Sequence, residues 1–250
     1  MNAAAAEPRL KARTSGTFAY FDKQLGFPDW SGRKVLDFGG NDGGLLLNPD
    51  CKIRHEDYYC IDVMAEAIEE GRRELPDAHW AHYNRYNCCY NPGGVEGLPI
   101  PSFGVAFDFI LAYSVFTQVT PDEMRDLVPQ LEAMLAPGGA LAFTFIDHDY
   151  KTWPTEFAGN NLQWRLERFR RLDPSLGDAA LAEKVRGASW CTLIDGRAVY
   201  AESNGTWGSE RASSYHVYYA AERMAQEFPR AEIRLPVNGE MQHCCVIRKK

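Results

Sequence analysis

Short apolar runs alternate with amphipathic segments along the first 147 residues of the chain. The apolar runs predict five β-strands, at residues 34–38, 58–61, 80–83, 107–112 and 140–146. Near-continuous apolar strands that alternate with helices are typical of a parallel sheet that is covered on both faces. The chain is therefore predicted to be an α/β protein.

The amphipathic segments between these runs predict three helices. The first covers residues 17–25 and stops at Gly26, and the second covers residues 64–75. The third opens at Thr120, with proline in its first turn and glutamate three residues after the cap. Pro129 is expected to kink this helix, and the Pro-Gly-Gly sequence at 137–139 is expected to end it.

The regular alternation breaks after the fifth strand. The segment that follows contains one helical apolar face, formed by Leu162, Leu166 and Phe169. It also contains the sequence CTLI-DG-RAVY at residues 191–200, whose Asp-Gly pair predicts a hairpin with a type I′ turn. We expect this insertion, at about residues 150–215, to form a lid that binds substrate.

A last helix and two strands are predicted beyond the insertion. The helix is expected at residues 220–228, and the strands at 233–237 and 243–248, antiparallel to each other. Residues 1–16 are expected to form a flexible tail ahead of one domain that covers residues 17–250.

Composition excludes several classes of function. The net charge is −7, whereas nucleic-acid binding favours a basic face. No apolar run reaches the about 20 residues that span a bilayer, and the first residues lack the apolar core of a signal peptide. We therefore expect a cytoplasmic protein that binds neither nucleic acid nor a membrane. The seven cysteines are expected to be reduced thiols, and the adjacent pairs at 88–89 and 244–245 lack metal-ligand spacing, so no metal site is predicted.

The sequence KVLDFGGNDGG, residues 34–44, places a glycine-rich loop directly after the first strand. Ligands of parallel sheets bind beyond the carboxyl ends of the strands, and glycine lets a ligand approach the backbone closely. Asp62 lies 25 positions after Asp37, at the end of the second strand, where an acid can bind a ribose. The pattern predicts a ligand that contains adenosine.

NAD fits this loop poorly. A dinucleotide loop needs glycine at its third position, where the backbone meets the pyrophosphate, and this chain has Asn41 there. Counting from Gly40 instead places Asp42 at that position, which sets an anion against an anion. An NAD-dependent oxidoreductase is therefore the less favoured alternative.

Four segments of the chain resemble the motifs of class I S-adenosylmethionine-dependent methyltransferases, in the order of that family. They are VLDFGGNDGG, with Asn41 in place of the usual second glycine, then YYCIDV, FDFILAYSVFTQV and LEAMLAPGGALAFTFID. The resemblance covers residues 34–147. It implies a Rossmann-like, doubly wound, mostly parallel seven-stranded sheet with an antiparallel last strand and an insertion after strand five. It also implies S-adenosyl-L-methionine as the cofactor.

The resemblance implies a role for each matching residue. The methionine part of the cofactor would face Asp37, the backbone of Gly39, Gly40, Asn41 and Gly43, and the residues Ala112 and Ser114. Asp62 would bind the ribose hydroxyls, and Val63 would lie against adenine. Where the family usually has an acid for the adenine amino group, this chain has Asn84, followed by Arg85. The amide oxygen of Asn84 can accept the same hydrogen bond, and the alternative is that Asn84 caps a turn.

Methyl transfer to a hydroxyl also requires removal of a proton. Gln118 stands where the family commonly has histidine. The predicted catalytic residues are His148, directly after strand five, and His243, at the start of the last strand. His82 and Tyr83, after the third strand, are further candidates.

These features together predict an enzyme that methylates an oxygen or nitrogen atom of a small molecule, such as a natural product, a sugar or an aromatic compound. A second hypothesis is a scaffold or regulator that binds S-adenosylmethionine without turnover. The departures from the family pattern at Asn41, Asn84 and Gln118 keep this second hypothesis open.

Overall fold

The computed structural model describes residues 17–87, 90–119, 121–147, 175, 177, 191–192, 198–203, 214–219, 221–240 and 242–250. The predicted tail at residues 1–16, the predicted helix that contains Leu166, and the candidate base His148 lie outside these ranges. The proposed domain boundaries and the lid therefore stay predictions.

The described part of the chain contains four α-helices, one short 3₁₀-helix (His55–Asp57) and ten strands. The α-helices are α1 (Thr17–Gln24), α2 (Ala65–Glu74), α3 (Pro121–Met134) and α4 (Ala221–Glu227). The strands are β1 (Val35–Phe38), β2 (Tyr58–Asp62), β3 (His79–His82), β4 (Phe107–Ala112), β5 (Leu135–Asp147), β6 (Cys191–Thr192), β7 (Ala198–Ser203), β8 (Ser214–Tyr219), β9 (Glu232–Arg234) and β10 (His243–Arg248).

Seven strands form a mostly parallel sheet in the order β3-β2-β1-β4-β5-β10-β9. Strand β1 pairs in parallel with β2 on one side and with β4 on the other, so the strand order reverses beside β1. Strand β10 is antiparallel to both β5 and β9. The predicted Rossmann-like sheet with an antiparallel last strand is therefore confirmed.

Three further strands extend the sheet at the carboxyl end of β5. Strand β8 pairs in parallel with Ile146 and Asp147, the last two residues of β5. Strand β7 is antiparallel to β8, and β6 is antiparallel to β7. Cys191 pairs with Tyr200, as the predicted hairpin requires, although its Asp-Gly turn lies outside the described residues. Part of the predicted insertion thus continues the sheet.

The start of β5 differs from the sequence prediction. We expected the Pro-Gly-Gly sequence to separate the third helix from a strand that begins at Ala140. Helix α3 instead ends at Met134, and Leu135 already pairs with Phe107. The register then shifts so that Ala140 pairs with Phe109, and residues 136–139 bulge between the two pairs. The backbone amide of Lys249 donates to the Gly139 carbonyl at 2.9 Å, which satisfies this acceptor of the bulge.

Helices cover both faces of the sheet. Neighbouring strand residues point to opposite faces, and the apolar residues on each face pack against different helices. Val35 belongs to the apolar cluster that includes Phe21 of α1 and Ile68 of α2. Leu36, the next residue, belongs to the cluster that includes α3 and α4. Both residues are fully buried. Within the described ranges, no helix is both long enough and apolar enough to cross a bilayer.

Helix α2 rests on the indole of Trp80 in β3. A Cβ atom at Gly71 would lie 2.3 Å from the six-membered ring of Trp80. The indole nitrogen donates a hydrogen bond to the Leu75 carbonyl at 3.1 Å, which holds the ring in place. Only glycine therefore fits at this point of the helix.

We predict that Gly71→Ala destabilises the fold. Alanine normally favours a helix interior over glycine by about 1 kcal/mol. Here the added methyl group overpacks against Trp80, which costs about 1–3 kcal/mol and reverses the sign. Urea denaturation followed by circular dichroism measures the change. In a Trp80→Phe background, whose smaller ring leaves space, the same substitution should cost less, and an equal loss in both backgrounds would contradict the explanation.

Candidate functional site

The glycine-rich loop packs closely against its surroundings directly after β1. Gly39 has φ of +78° and donates its backbone amide to the Ile61 carbonyl at 2.7 Å. A Cβ atom at Gly39 would lie 2.4 Å from the Val115 side chain, and one at Gly40 would lie 2.6 Å from the Asp37 carboxyl. Glycine at both positions lets the loop turn sharply at the end of the strand.

Asn41 and Asp62 join this loop to the end of β2. Asn41 has φ of +55°, the left-handed conformation that asparagine tolerates better than most residues. Its backbone amide donates to Oδ2 of Asp62 at 2.8 Å, and the Met64 amide donates to Oδ1 at 2.8 Å. Burial raises the pKa of Asp62, and these two hydrogen bonds oppose the rise. The Asp62 carboxylate therefore fixes two backbone segments, the loop after β1 and the residues after β2.

A pocket of about 300 Å³ opens at the carboxyl ends of β1, β2 and β4. This is the place where the strand order reverses, which is where open parallel sheets bind their ligands. The pocket brings together six of the predicted cofactor residues: Gly39, Asn41, Asp62, Val63, Arg85 and Ser114. Its size is typical of a site for a small molecule or cofactor.

Asp37 is placed under the loop instead of in the pocket. Its carboxylate accepts a hydrogen bond from the Tyr58 hydroxyl at 2.7 Å. Burial raises the pKa of Asp37 to about 7, against the effect of the Tyr58 bond, and the nearby Asp62 carboxylate adds to the rise. The side chain thus supports the loop from below, and its contact with the cofactor stays a prediction.

Four other predicted cofactor residues are also absent from the pocket wall in the described part of the chain: Gly40, Gly43, Asn84 and Ala112. Asn84 is exposed, and its Oδ1 accepts a hydrogen bond from Nδ2 of Asn91 at 3.0 Å. This hydrogen bond lies within the loop, which agrees with the alternative prediction that Asn84 caps a turn. Binding of adenine by Asn84 stays a prediction.

Arg85 supplies a buried cation at one end of the pocket. The residue is 6% exposed, and Nη1 donates to Oδ2 of Asp126 at 2.7 Å and to the Leu98 carbonyl at 3.0 Å. These bonds tie the segment after β3 to helix α3. Arg85 therefore holds this wall of the pocket in place.

The candidate base His243 is buried in the sheet. It is 2% exposed, it pairs with Phe145 of β5, and its Nε2 lies 3.6 Å from Oδ2 of Asp147. Burial lowers the pKa of His243 and so favours the neutral ring. The neighbouring Asp147 acts in the opposite direction, but its effect is smaller. No histidine lines the pocket within the described ranges, and His148 lies outside them. Both catalytic assignments stay predictions.

Several residues of the pocket wall were not predicted. Tyr86, Asn87 and Tyr90 come from the loop between β3 and β4, and Glu123 and Leu127 come from the first turns of α3. The loop has no helical or strand periodicity, so its tyrosines gave no structural signal. The N-terminal cap and proline of α3 could have indicated that the start of this helix faces the site.

A family model described as a methyltransferase domain matches residues 36–141. A curated relative, the malonyl-[acyl-carrier protein] O-methyltransferase of Enterobacter lignolyticus (strain SCF1), is 29% identical over 119 residues. The alignment covers 46% of this chain and 40% of the relative, so less than half of the relative's length is matched.

Solved structures share the fold over nearly the whole chain. The PH0226 protein of Pyrococcus horikoshii OT3 has a TM-score of 0.55 at 12% identity, over 95% of this chain and 93% of that one. The S-adenosylmethionine-bound CalS10, an amino pentose methyltransferase of Micromonospora echinaspora, has a TM-score of 0.52 at 14% identity, over 98% and 97%. The structural likeness establishes the fold, and residues 36–141 match the methyltransferase domain in sequence. The chain thus has the fold of S-adenosylmethionine-dependent methyltransferases and contains a segment similar to the methyltransferase domain.

Proposed function

We propose that the protein transfers the methyl group of S-adenosyl-L-methionine to an oxygen or nitrogen atom of a small molecule. The observation that carries the proposal is the pocket at the ends of β1, β2 and β4, with the glycine-rich loop and Asp62 in its wall. A ligand there meets backbone atoms at Gly39 and Asn41 and a carboxylate at Asp62. These are groups that suit an adenosine with an amino-acid end.

Asp62 has the capacity to bind the ribose. A carboxylate offers about four lone-pair sites to hydrogen-bond donors. The amides of Asn41 and Met64 use one site on each oxygen, and the Val63 amide also hydrogen-bonds to this carboxylate. The acceptor capacity that is left suits a ribose hydroxyl, and both oxygens are already fixed in position by the backbone.

The reaction is a displacement at the methyl carbon of the sulfonium. The protein has to align the acceptor with the carbon–sulfur bond and to exclude water. Tyr113 is a rigid part of the wall because its hydroxyl donates to Oε2 of Glu240 at 2.6 Å. Burial is the main cause that raises the pKa of Tyr113, which therefore stays protonated and donates this bond. An amine acceptor needs only to arrive neutral, whereas a hydroxyl also needs a base.

The relatives support a small or carrier-bound acceptor without naming it for this chain. The matched curated relative is named for methylation of malonyl-[acyl-carrier protein] at oxygen, and CalS10 for an amino pentose. The acceptor is expected to approach beside the carboxyl end of β5, from which the predicted lid at residues 150–215 follows. We propose a small natural-product, sugar or aromatic acceptor. Methylation of an acyl-carrier substrate instead would change the proposed class of acceptor.

We expect the protein to bind S-adenosylmethionine or S-adenosylhomocysteine more tightly than NAD. Asn41 lies at the position where a dinucleotide loop needs glycine for its pyrophosphate. Titration calorimetry with each compound measures the preference. Tighter binding of NAD would overturn the proposed function.

Asp62→Ala should weaken cofactor binding by about 10- to 150-fold, because it removes charge-assisted hydrogen bonds to the ribose. The dissociation constant for S-adenosylhomocysteine measures the change. Asp50→Ala is the matched control, because Asp50 is exposed and lies outside the pocket wall in the described ranges. An unchanged constant for Asp62→Ala would show that this carboxylate does not bind the ligand.

Methyl transfer from labelled S-adenosylmethionine to a panel of hydroxyl and amine acceptors separates an enzyme from a silent scaffold. For a hydroxyl acceptor, His148→Ala should lower kcat by about 10²- to 10⁴-fold, the usual worth of a general base, with cofactor affinity unchanged. His243→Ala is the comparison variant. A loss below about tenfold would reject His148 as the base, and cofactor binding without transfer to any acceptor would favour the scaffold.

A further inference from the structure

Ser114 has an unusual backbone at the point where β4 enters the pocket. Its φ is +61°, a left-handed conformation that is uncommon for residues other than glycine and asparagine. Such strain persists only where the surroundings hold it in place. Ser114 lines the pocket, and three hydrogen bonds to buried side chains hold it.

The directions of these hydrogen bonds follow from one fixed donor. The backbone amide of Ser114 can only donate, and it donates to Oγ1 of Thr144 at 2.7 Å. The Thr144 hydroxyl therefore uses its own proton elsewhere, on Oε1 of Gln242 at 2.6 Å. With its oxygen on Thr144, the Gln242 amide presents Nε2 to Oγ of Ser114 at 2.9 Å. The hydrogen bonds among Ser114, Thr144 and Gln242 thus form a closed relay, in which the Ser114 amide, the Thr144 hydroxyl and Nε2 of Gln242 are the donors.

This relay leaves the Ser114 hydroxyl as a donor. Its oxygen accepts from Gln242, so its own proton has to point to another acceptor. Within the described contacts, the neighbouring hydroxyl is Oγ1 of Thr117, which lies 3.4 Å away and already donates to the Ser114 carbonyl at 2.8 Å. A carboxylate in the pocket is a much stronger acceptor than a hydroxyl at that distance.

We propose that Gln242 is a positioning residue that aims the Ser114 hydroxyl at the carboxylate of the cofactor's amino-acid end. The inference rests on the proposed function, because it needs a ligand that ends in a carboxylate. Gln242 acts from outside the ligand's reach: it is 8% exposed, and it does not line the pocket in the described part of the chain.

Helix α1 holds Gln242 in turn. The Tyr20 hydroxyl donates to the Gln242 backbone carbonyl at 2.8 Å, and the Tyr20 side chain is fully buried. The Tyr20 ring also packs edge-on against Tyr113 at 5.6 Å between ring centres. The positioning of Ser114 therefore depends on residues from both ends of the described chain.

The test compares two ligands that share the adenosine part. S-adenosylhomocysteine carries the amino-acid end, and 5′-methylthioadenosine lacks it. Gln242→Glu keeps the size of the side chain and still accepts from Thr144, but it has no donor, so the Ser114 hydroxyl turns to the new carboxylate. S-adenosylhomocysteine should then bind about tenfold more weakly, the effect of one lost hydrogen bond to a charged group. Binding of 5′-methylthioadenosine should not change.

A double-mutant cycle separates this relay from charge repulsion. Ser114→Ala alone should cause the same selective loss, and adding Gln242→Glu to it should cause no further loss. Gln242→Met, which removes the donor without adding a charge, is a second variant with the same expected selectivity. Asn48→Asp is the matched control for the change from amide to carboxylate, because Asn48 is 9% exposed and its Oδ1 accepts from the Asp50 amide at 2.9 Å, outside the described pocket wall.

Three results would overturn the inference alone: equal losses for both ligands, an unchanged affinity for S-adenosylhomocysteine, or additive losses in the double variant. Each would mean that Gln242 does not act on the ligand through Ser114. A wild-type protein that binds neither ligand would overturn the proposed function, and the inference with it. Selective, non-additive loss with an unaffected Asn48 control supports the relay.

Discussion

The parallel pairing of β1 with β2 on one side and with β4 on the other is the constraint on which the site depends. It brings the three carboxyl ends to one edge of the sheet, with Asp37 in register with Cys60 and Leu111. Because the chain leaves β2 and β4 on opposite sides of β1, their following loops diverge and leave a space between them. The pocket is this space, and its wall includes the first residues after each of these strands.

Electrostatics adds a second constraint at the same edge. Two carboxylates, Asp37 and Asp62, are buried there, and desolvation raises the pKa of each. A buried acid is stabilised by a nearby cation, and S-adenosylmethionine carries positive charge on its sulfur and on its amino group. The single buried cation in the wall among the described residues, Arg85, is already paired with Asp126 at the other side. The charge distribution thus suits a cationic cofactor.

The sequence predicted the strands well because buried strands appear in the sequence as apolar runs. Strands β4 and β10 have the predicted bounds. The motif spacing also predicted that Gly39, Asn41 and Asp62 meet. Spacing gives the position of a residue but not the direction of its side chain, so Asp37 and Asn84 were assigned to a pocket whose described walls lack them. The contact between Ser114 and Gln242 had no local signal, because 128 positions separate the two residues.

Asparagine in the glycine-rich loop also changes the entropy of binding. A glycine at position 41 would have more conformational freedom than asparagine. The Asn41 side chain is held by two contacts: its Oδ1 accepts from the Asp42 amide at 2.9 Å, and its Nδ2 lies 3.8 Å from the Met64 sulfur. Replacing glycine by a residue that accepts the native backbone reduces the freedom of the unfolded chain. A loop that is already ordered loses less freedom when a ligand arrives. The hydrogen bonds of Asn41 therefore restrain the loop in the conformation that lines the pocket.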